Sequence, residues 1–142
     1  MKKLFLVFAS IVSVHSSLSF AQKGNQDTTP IVRFGKIAPS TASNANRSPV
    51  NTTREEILSD PRLIVDPQTN KVVSFTFSML PKGRDLIGPF KIKGADFTPE
   101  IIKTLIEMRD PEGKILIEDI RVMEEDKMLR SYNSIILNLV SK

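Results

Sequence analysis

Two adjacent carboxylates, Glu118 and Asp119, interrupt "GKILIEDIRV" (113–122), a run otherwise apolar and β-branched enough to be a buried strand. Three roles are open to such a pair. With Glu124 as the second acid, Glu118 could cleave a glycosidic bond, which needs the carboxylates about 5–9.5 Å apart in a cleft. The two acids could hold calcium, but that ion takes about six to eight oxygens and a neighbouring pair supplies too few. The third role is structural. Ile115 and Ile117 share one face while Ile120 and Val122 have the opposite parity, so the apolar phase slips by one across Glu118 and Asp119. One extra residue in the strand, a β-bulge, produces that slip and re-aims the side chains beyond it. The bulge is therefore the expectation, with the acids marking it.

Other routes to catalysis are thin. The chain has no cysteine, and its one histidine is His15, so the strongest side-chain nucleophile and the commonest general base are missing from the folded part. Its six glycines are isolated, with no phosphate-cradling loop among them. The sequence predicts no catalytic residue, no metal site and no cofactor. A chain without cysteine also has no disulfide framework, so the core alone must hold it.

The elements that position these residues follow from periodicity. "VVSFTFSML" alternates Val73, Phe75, Phe77 and Met79 with Ser74, Thr76 and Ser78, the period-two pattern of a half-buried strand. Burying four such groups is worth about 1.5–3 kcal/mol each, enough to fix the register. "LIGPFKIKG" alternates Phe90 and Ile92 with Lys91 and Lys93. Pro89 lacks a ladder donor, which directs this strand to a sheet edge or makes it begin after the proline. Lysines on such an edge discourage stray pairing. That protective role is the favoured reading of the lysines; as the alternative, Phe90, Lys91, Ile92 and Lys93 are the candidate partner-binding edge, by addition of an extended segment from another protein.

"DFTPEIIKTLIEMRDPEG" changes the period. Thr98 is a suitable N-cap, Pro99 fits the first helical position, and Phe97 with Ile102 has the spacing of a hydrophobic staple. Ile101, Ile102, Leu105, Ile106 and Met108 should line one face of a helix of about ten residues. "TREEILS" reads as one short helical turn capped by Thr53, and "RLIVD" and "IVRFGKI" (31–37) as short strands. "MEEDKMLR" turns the chain, and "SIILNLV" supplies a last strand with Ile135, Leu137 and Leu139 on one face, in a hairpin with 113–122.

The remainder is organised around export. Lys2 and Lys3, the apolar "LFLVFASIVSV" and "SFA" ending at Ala21 make residues 1–21 read as a secretory signal peptide; a membrane anchor is the competing reading, disfavoured because the apolar run is short for about 30 Å of hydrocarbon. Its removal takes away His15 and lowers the net charge by two from +4. The mixed charges that remain carry no footprint for nucleic acid, and no membrane insertion is expected after cleavage. Residues 22–30 read as a disordered tether and 38–53 as a loose loop, because neither stretch holds enough apolar surface to offset the entropy of ordering it.

The order of "VVSFTFSML", "FKIKGADFTPE", "GKILIEDIRV" and "SIILNLV" resembles the C-terminal domain of the GldM/PorM family, periplasmic components of the type IX secretion and gliding machinery of Bacteroidetes. "PIVRFGKI" and "TREEILSDPRLIV" are similar to that domain's opening, so the likeness spans about residues 30–142. The resemblance implies a mainly β fold, an immunoglobulin-like β-sandwich with one or two short helices over residues 31–142. It brings no catalytic residues. It implies a soluble periplasmic location, with release from the cell as a variant, and partners that are periplasmic or outer-membrane-associated proteins; homo-oligomerisation is left open. Only the terminal unit of the longer family members follows the signal peptide, so force transmission from the inner membrane is not expected here. An exported carbohydrate- or envelope-binding sandwich is the alternative. With no Trp and only Tyr132, the chain is poor in the rings that sugar stacking uses.

Overall fold

The computed structural model describes residues 31–37 and 49–142. The expected signal peptide and tether, and positions 38–48 of the expected loop, lie outside the described residues. In chain order the elements are β1 (Ile31–Phe34), β2 (Val50–Thr52), α1 (Arg54–Ser59), β3 (Leu63–Asp66), β4 (Lys71–Pro81), β5 (Ile87–Lys93), α2 (Pro99–Glu107), β6 (Gly113–Met123), β7 (Leu129–Tyr132) and β8 (Ile135–Leu139). The described residues form a mainly β structure of two sheets with two short helices. One sheet has six strands, in the order β2-β8-β6-β4-β5 with β7 also on β6; the other is the antiparallel pair β1-β3.

A single core joins them. Val32 and Phe34 from β1, Leu63 and Val65 from β3, Ile57 from α1, and Ile101 and Leu105 from α2 are buried with Phe75, Phe77, Met79, Ile115, Ile117 and Leu137 of the large sheet. Phe97 is the pivot. Its ring centroid lies 5.1 Å from that of Phe34, 5.9 Å from Phe75 and 4.9 Å, edge-on, from Phe77. These are the separations and tilts that aromatic quadrupoles favour. One side chain just before α2 thus touches rings from both sheets.

The helices begin as their sequences predict. At α1 the Glu56 N–H donates to Thr53 Oγ1 at 3.3 Å, and the Thr53 N–H donates to Glu56 Oε2 at 3.0 Å, a complete capping box. At α2, Thr98 holds the N-cap position and Pro99 the first helical one, but the Thr98 side chain makes no capping bond. The apolar face of α2 is narrower than predicted. Ile101 and Leu105 are buried and Ile102 partly so, whereas Ile106 is 59% exposed, its azimuth having passed beyond the contact stripe.

Three further expectations are corrected. Val73 does not join Phe75, Phe77 and Met79: it is 40% exposed, and Val72, at 9%, takes its place in the core. The β4–β6 register accounts for this, since Val72 pairs Val122 and Ser74 pairs Arg121, leaving Val73 as an extra residue on β4. Residues 50–52 are not loop but β2, which pairs parallel to β8 through Val50–Leu137 and Thr52–Leu139. Buried Thr52 keeps its hydroxyl bonded by donating to Glu56 Oε2 at 2.9 Å. Finally, the hairpin from β6 runs to β7, and β8 then returns along the first half of β6.

Candidate functional site

The bulge stands where the apolar phase slips. Glu118 pairs Thr76 and Arg121 pairs Ser74, so Asp119 and Ile120 together oppose Phe75. Asp119 takes the left-handed conformation, φ 49°, and its Oδ2 accepts a hydrogen bond from Thr76 Oγ1 at 3.3 Å. Asp tolerates that region better than branched residues do. The consequence is that Ile117 and Ile120 both face the core while Glu118 and Asp119 face solvent. The bulge also marks a handover, because β8 covers Gly113–Ile117 of β6 and β7 covers Ile120–Met123.

The structure does not bring Glu118 and Glu124 together. Six positions along an extended strand separate them by about 20 Å, and Glu124 is engaged elsewhere. Its carboxylate accepts from Tyr132 Oη at 2.5 Å and pairs with Arg130, which also meets Asp126 at 2.8 Å. Burial and the bond to Glu124 push the Tyr132 phenol well above its ordinary range, while the Arg130 bond holds the Asp126 carboxyl below its own. Two of the three acids of this turn, Glu124 and Asp126, are therefore tied into a hairpin clasp. Asn70 extends the clasp to the β3–β4 turn: its Oδ1 accepts from the Glu125 N–H and its Nδ2 donates to the Pro67 carbonyl. Among the described residues no cluster of three or more potential metal ligands occurs.

Among the described residues β5 lies at the end of the strand order, with no strand on its outer side. Which backbone groups face outward follows from one bond. The Gly94 N–H donates to the Val73 carbonyl at 2.7 Å, and bonded pairs in an antiparallel ladder recur at every second residue. With Ile92 opposite Phe75 and Phe90 opposite Phe77, Phe90 and Ile92 bond inward to β4. The N–H and C=O groups of Lys91 and Lys93 point away from the sheet. Their side chains are exposed on the face shared with Thr76 and Ser74. Ile92 is buried and Phe90 half-buried against Phe77, ring centroids 6.5 Å apart. The four residues singled out by sequence thus form the edge, two anchoring it and two presenting it.

The upstream end of β5 closes the edge. Pro89 lies within the strand, and Gly88 with Pro89 forms a second irregularity, since Phe77 pairs Phe90 while Met79 pairs Ile87. Gly88 has φ 104°, and a Cβ there would stand 2.9 Å from the Phe77 carbonyl. Only glycine fits both constraints.

Sequence reasoning gave no hint of a groove of about 450 Å³ across the end of the large sheet away from the hairpin clasp, lined by Asn51, Leu80, Lys82, Glu112, Lys114 and Asn138 among others. Its walls come from four strands distant in sequence. Lys82 and Glu112 pair across it, which raises the Lys82 ammonium pKa and lowers that of the Glu112 carboxyl. The Asn138 Nδ2 donates to Asn51 Oδ1 at 3.2 Å. Among the described residues no helix is long and apolar enough to cross a membrane. No family model matches the chain, and no curated protein is significantly similar to it.

Proposed function

We propose that this chain is an exported, non-enzymatic protein-interaction domain that works in the periplasm by accepting a partner segment along the β5 edge. The observation that carries this reading is the outward orientation of the Lys91 and Lys93 backbone groups at the end of the sheet. Strand addition to such an edge draws affinity from main-chain hydrogen bonds and specificity from alternate side chains. The resemblance of residues 30–142 to the terminal domain of the GldM/PorM family supports the same reading, as does the leader-like composition of residues 1–21. A carbohydrate-binding role has less support, because the single tyrosine is committed to the hairpin clasp.

Lys91→Pro tests the edge with little risk to the fold. The Lys91 N–H bonds nothing in the sheet, so proline removes an outward donor and leaves the inward ladder of Phe90 and Ile92 in place. A photoreactive residue at Lys93 should crosslink a defined partner in cells, and Lys91→Pro should abolish that crosslink while a control crosslinker at Glu125 gives none. Equal yields from Lys93 in both backgrounds would defeat the edge reading. Intact-mass measurement of the cell-envelope form should give a chain beginning after Ala21.

A further inference from the structure

We infer that the segment accepted by β5 is an acidic extended strand and not a second copy of this chain, an inference that rests on the edge reading above. Both residues with outward backbone groups are lysines. Among the described residues neither makes an ion pair. Two carboxylates lie inward of Lys91, that of Asp119, held by the Thr76 hydroxyl at 3.3 Å, and that of Glu118 on the same cross-sheet row, two strands in and about 10 Å away at the spacing of neighbouring strands, and neither pairs with it. Both acids lie on the sheet side of β5, so among the described residues the ammonium groups are unpaired on the outer side, where an added strand would lie.

Self-pairing meets this charge directly. Antiparallel pairing of two β5 edges about a twofold axis can set Lys91 opposite Lys93, Lys91 opposite itself, or Lys93 opposite itself. Each register places like charges face to face, at the separation where cross-strand pairs repel. Upstream, Pro89 has no donor, so the ladder cannot slide away to a neutral register. An incoming strand with Glu or Asp at alternate positions instead sets a carboxylate beside each ammonium on the solvent face. Its other side chains fall on the side of Phe90, which is only half-buried and open to an apolar neighbour. The pattern sought is thus acidic and apolar residues in alternation.

The test uses the mature chain, ¹⁵N-labelled, with short capped peptides that alternate valine with glutamate, lysine or threonine. The glutamate peptide should shift the Lys91 and Lys93 amides and bind about tenfold or more tighter than the lysine peptide at low salt, the gap narrowing as ionic strength rises. Methylating its alternate amide nitrogens should abolish the shifts. K91E/K93E should reverse the preference. If all three peptides bind alike at these amides, strand addition stands and the acidic partner is overturned; if none shifts them, both fall. Sedimentation showing a dimer in which the Lys91 and Lys93 amides are protected from exchange would also overturn the inference.

Discussion

Replacing Asp119 by valine sets backbone strain against burial, and the magnitudes decide between two outcomes. A β-branched residue at φ 49° costs about 1–2 kcal/mol relative to the ordinary region. Loss of the exposed 3.3 Å bond from Thr76 adds about 0.5 kcal/mol. The chain could escape that strain by flattening the bulge, but a regular strand would turn Ile120 and Val122, both fully buried, toward water. That exchange costs about 1.5–3 kcal/mol for each side chain, more than the strain it relieves. Asp119→Val should therefore keep the bulge and lose about 2 kcal/mol, against a total of about 5–15 kcal/mol for a domain of this kind. In urea, with a slope of about 1–3 kcal/mol/M, the midpoint should fall by about 1 M. Asp119→Gly, free of the conformational penalty, should stay within about 1 kcal/mol of the parent. Urea unfolding of residues 22–142, followed by far-ultraviolet circular dichroism and Tyr132 fluorescence, reads both variants. A valine variant as stable as the parent, or a glycine variant as damaged as valine, would refute the assignment of Asp119 to strain. Calcium should leave the midpoint unchanged in all three proteins.

Phe97→Ala removes the ring that touches Phe34, Phe75 and Phe77 and should cost about 3–5 kcal/mol in the same unfolding assay; a loss below about 1 kcal/mol would mean the sheets are joined elsewhere. Tyr132, the only tyrosine, gives an unobstructed ultraviolet titration. Its phenol should ionise above the range of a free tyrosine in the folded chain, because burial and the bond to Glu124 both favour the neutral form. Its raised pKa contributes stability that is complete below about pH 10 and is lost as pH rises beyond it, since the unfolded chain then releases the proton first. Glu124→Gln should move the titration back toward the free value. At the acid end, hydrogen bonds from Thr53 and Thr52 lower the Glu56 pKa, Lys82 lowers that of Glu112, and Arg130 that of Asp126. Their contribution is present above the usual carboxylate range and lost as pH falls through the lowered values, so Glu56→Gln should flatten part of the acid limb of the stability profile.

The features legible in sequence were those written in local pattern. The slip between Ile117 and Ile120 announced the bulge, and the alternation of Phe90 to Lys93 with Pro89 announced an edge, because each depends on parity within one strand. Val73 escaped because its bulge is defined only by the partner strand: Val72 and Val73 are equally apolar, and the pairing of Val72 with Val122 chooses between them. β2 escaped for a related reason. Val50–Thr52 holds one large apolar residue, and its order comes from β8, more than eighty positions later. The hairpin clasp was hidden because Glu124, Arg130 and Tyr132 meet only once β7 folds back on β6, and "LRSY" carries no apolar alternation to foretell that strand. The groove at the far end is assembled from four strand ends and has no sequence signature at all.

The division of β6 between two neighbours has a practical outcome. Everything beyond the bulge on the β7 side ends in a ribbon whose tip, Glu124 to Met128, contributes no buried residue. Foreign sequence spliced into that tip would leave β8, and the layers it helps to close, in their original register. Such a site suits the display of an epitope or a fluorophore at a distance from β5, from which the proposed capture of a partner could be watched without touching the surface assigned to it.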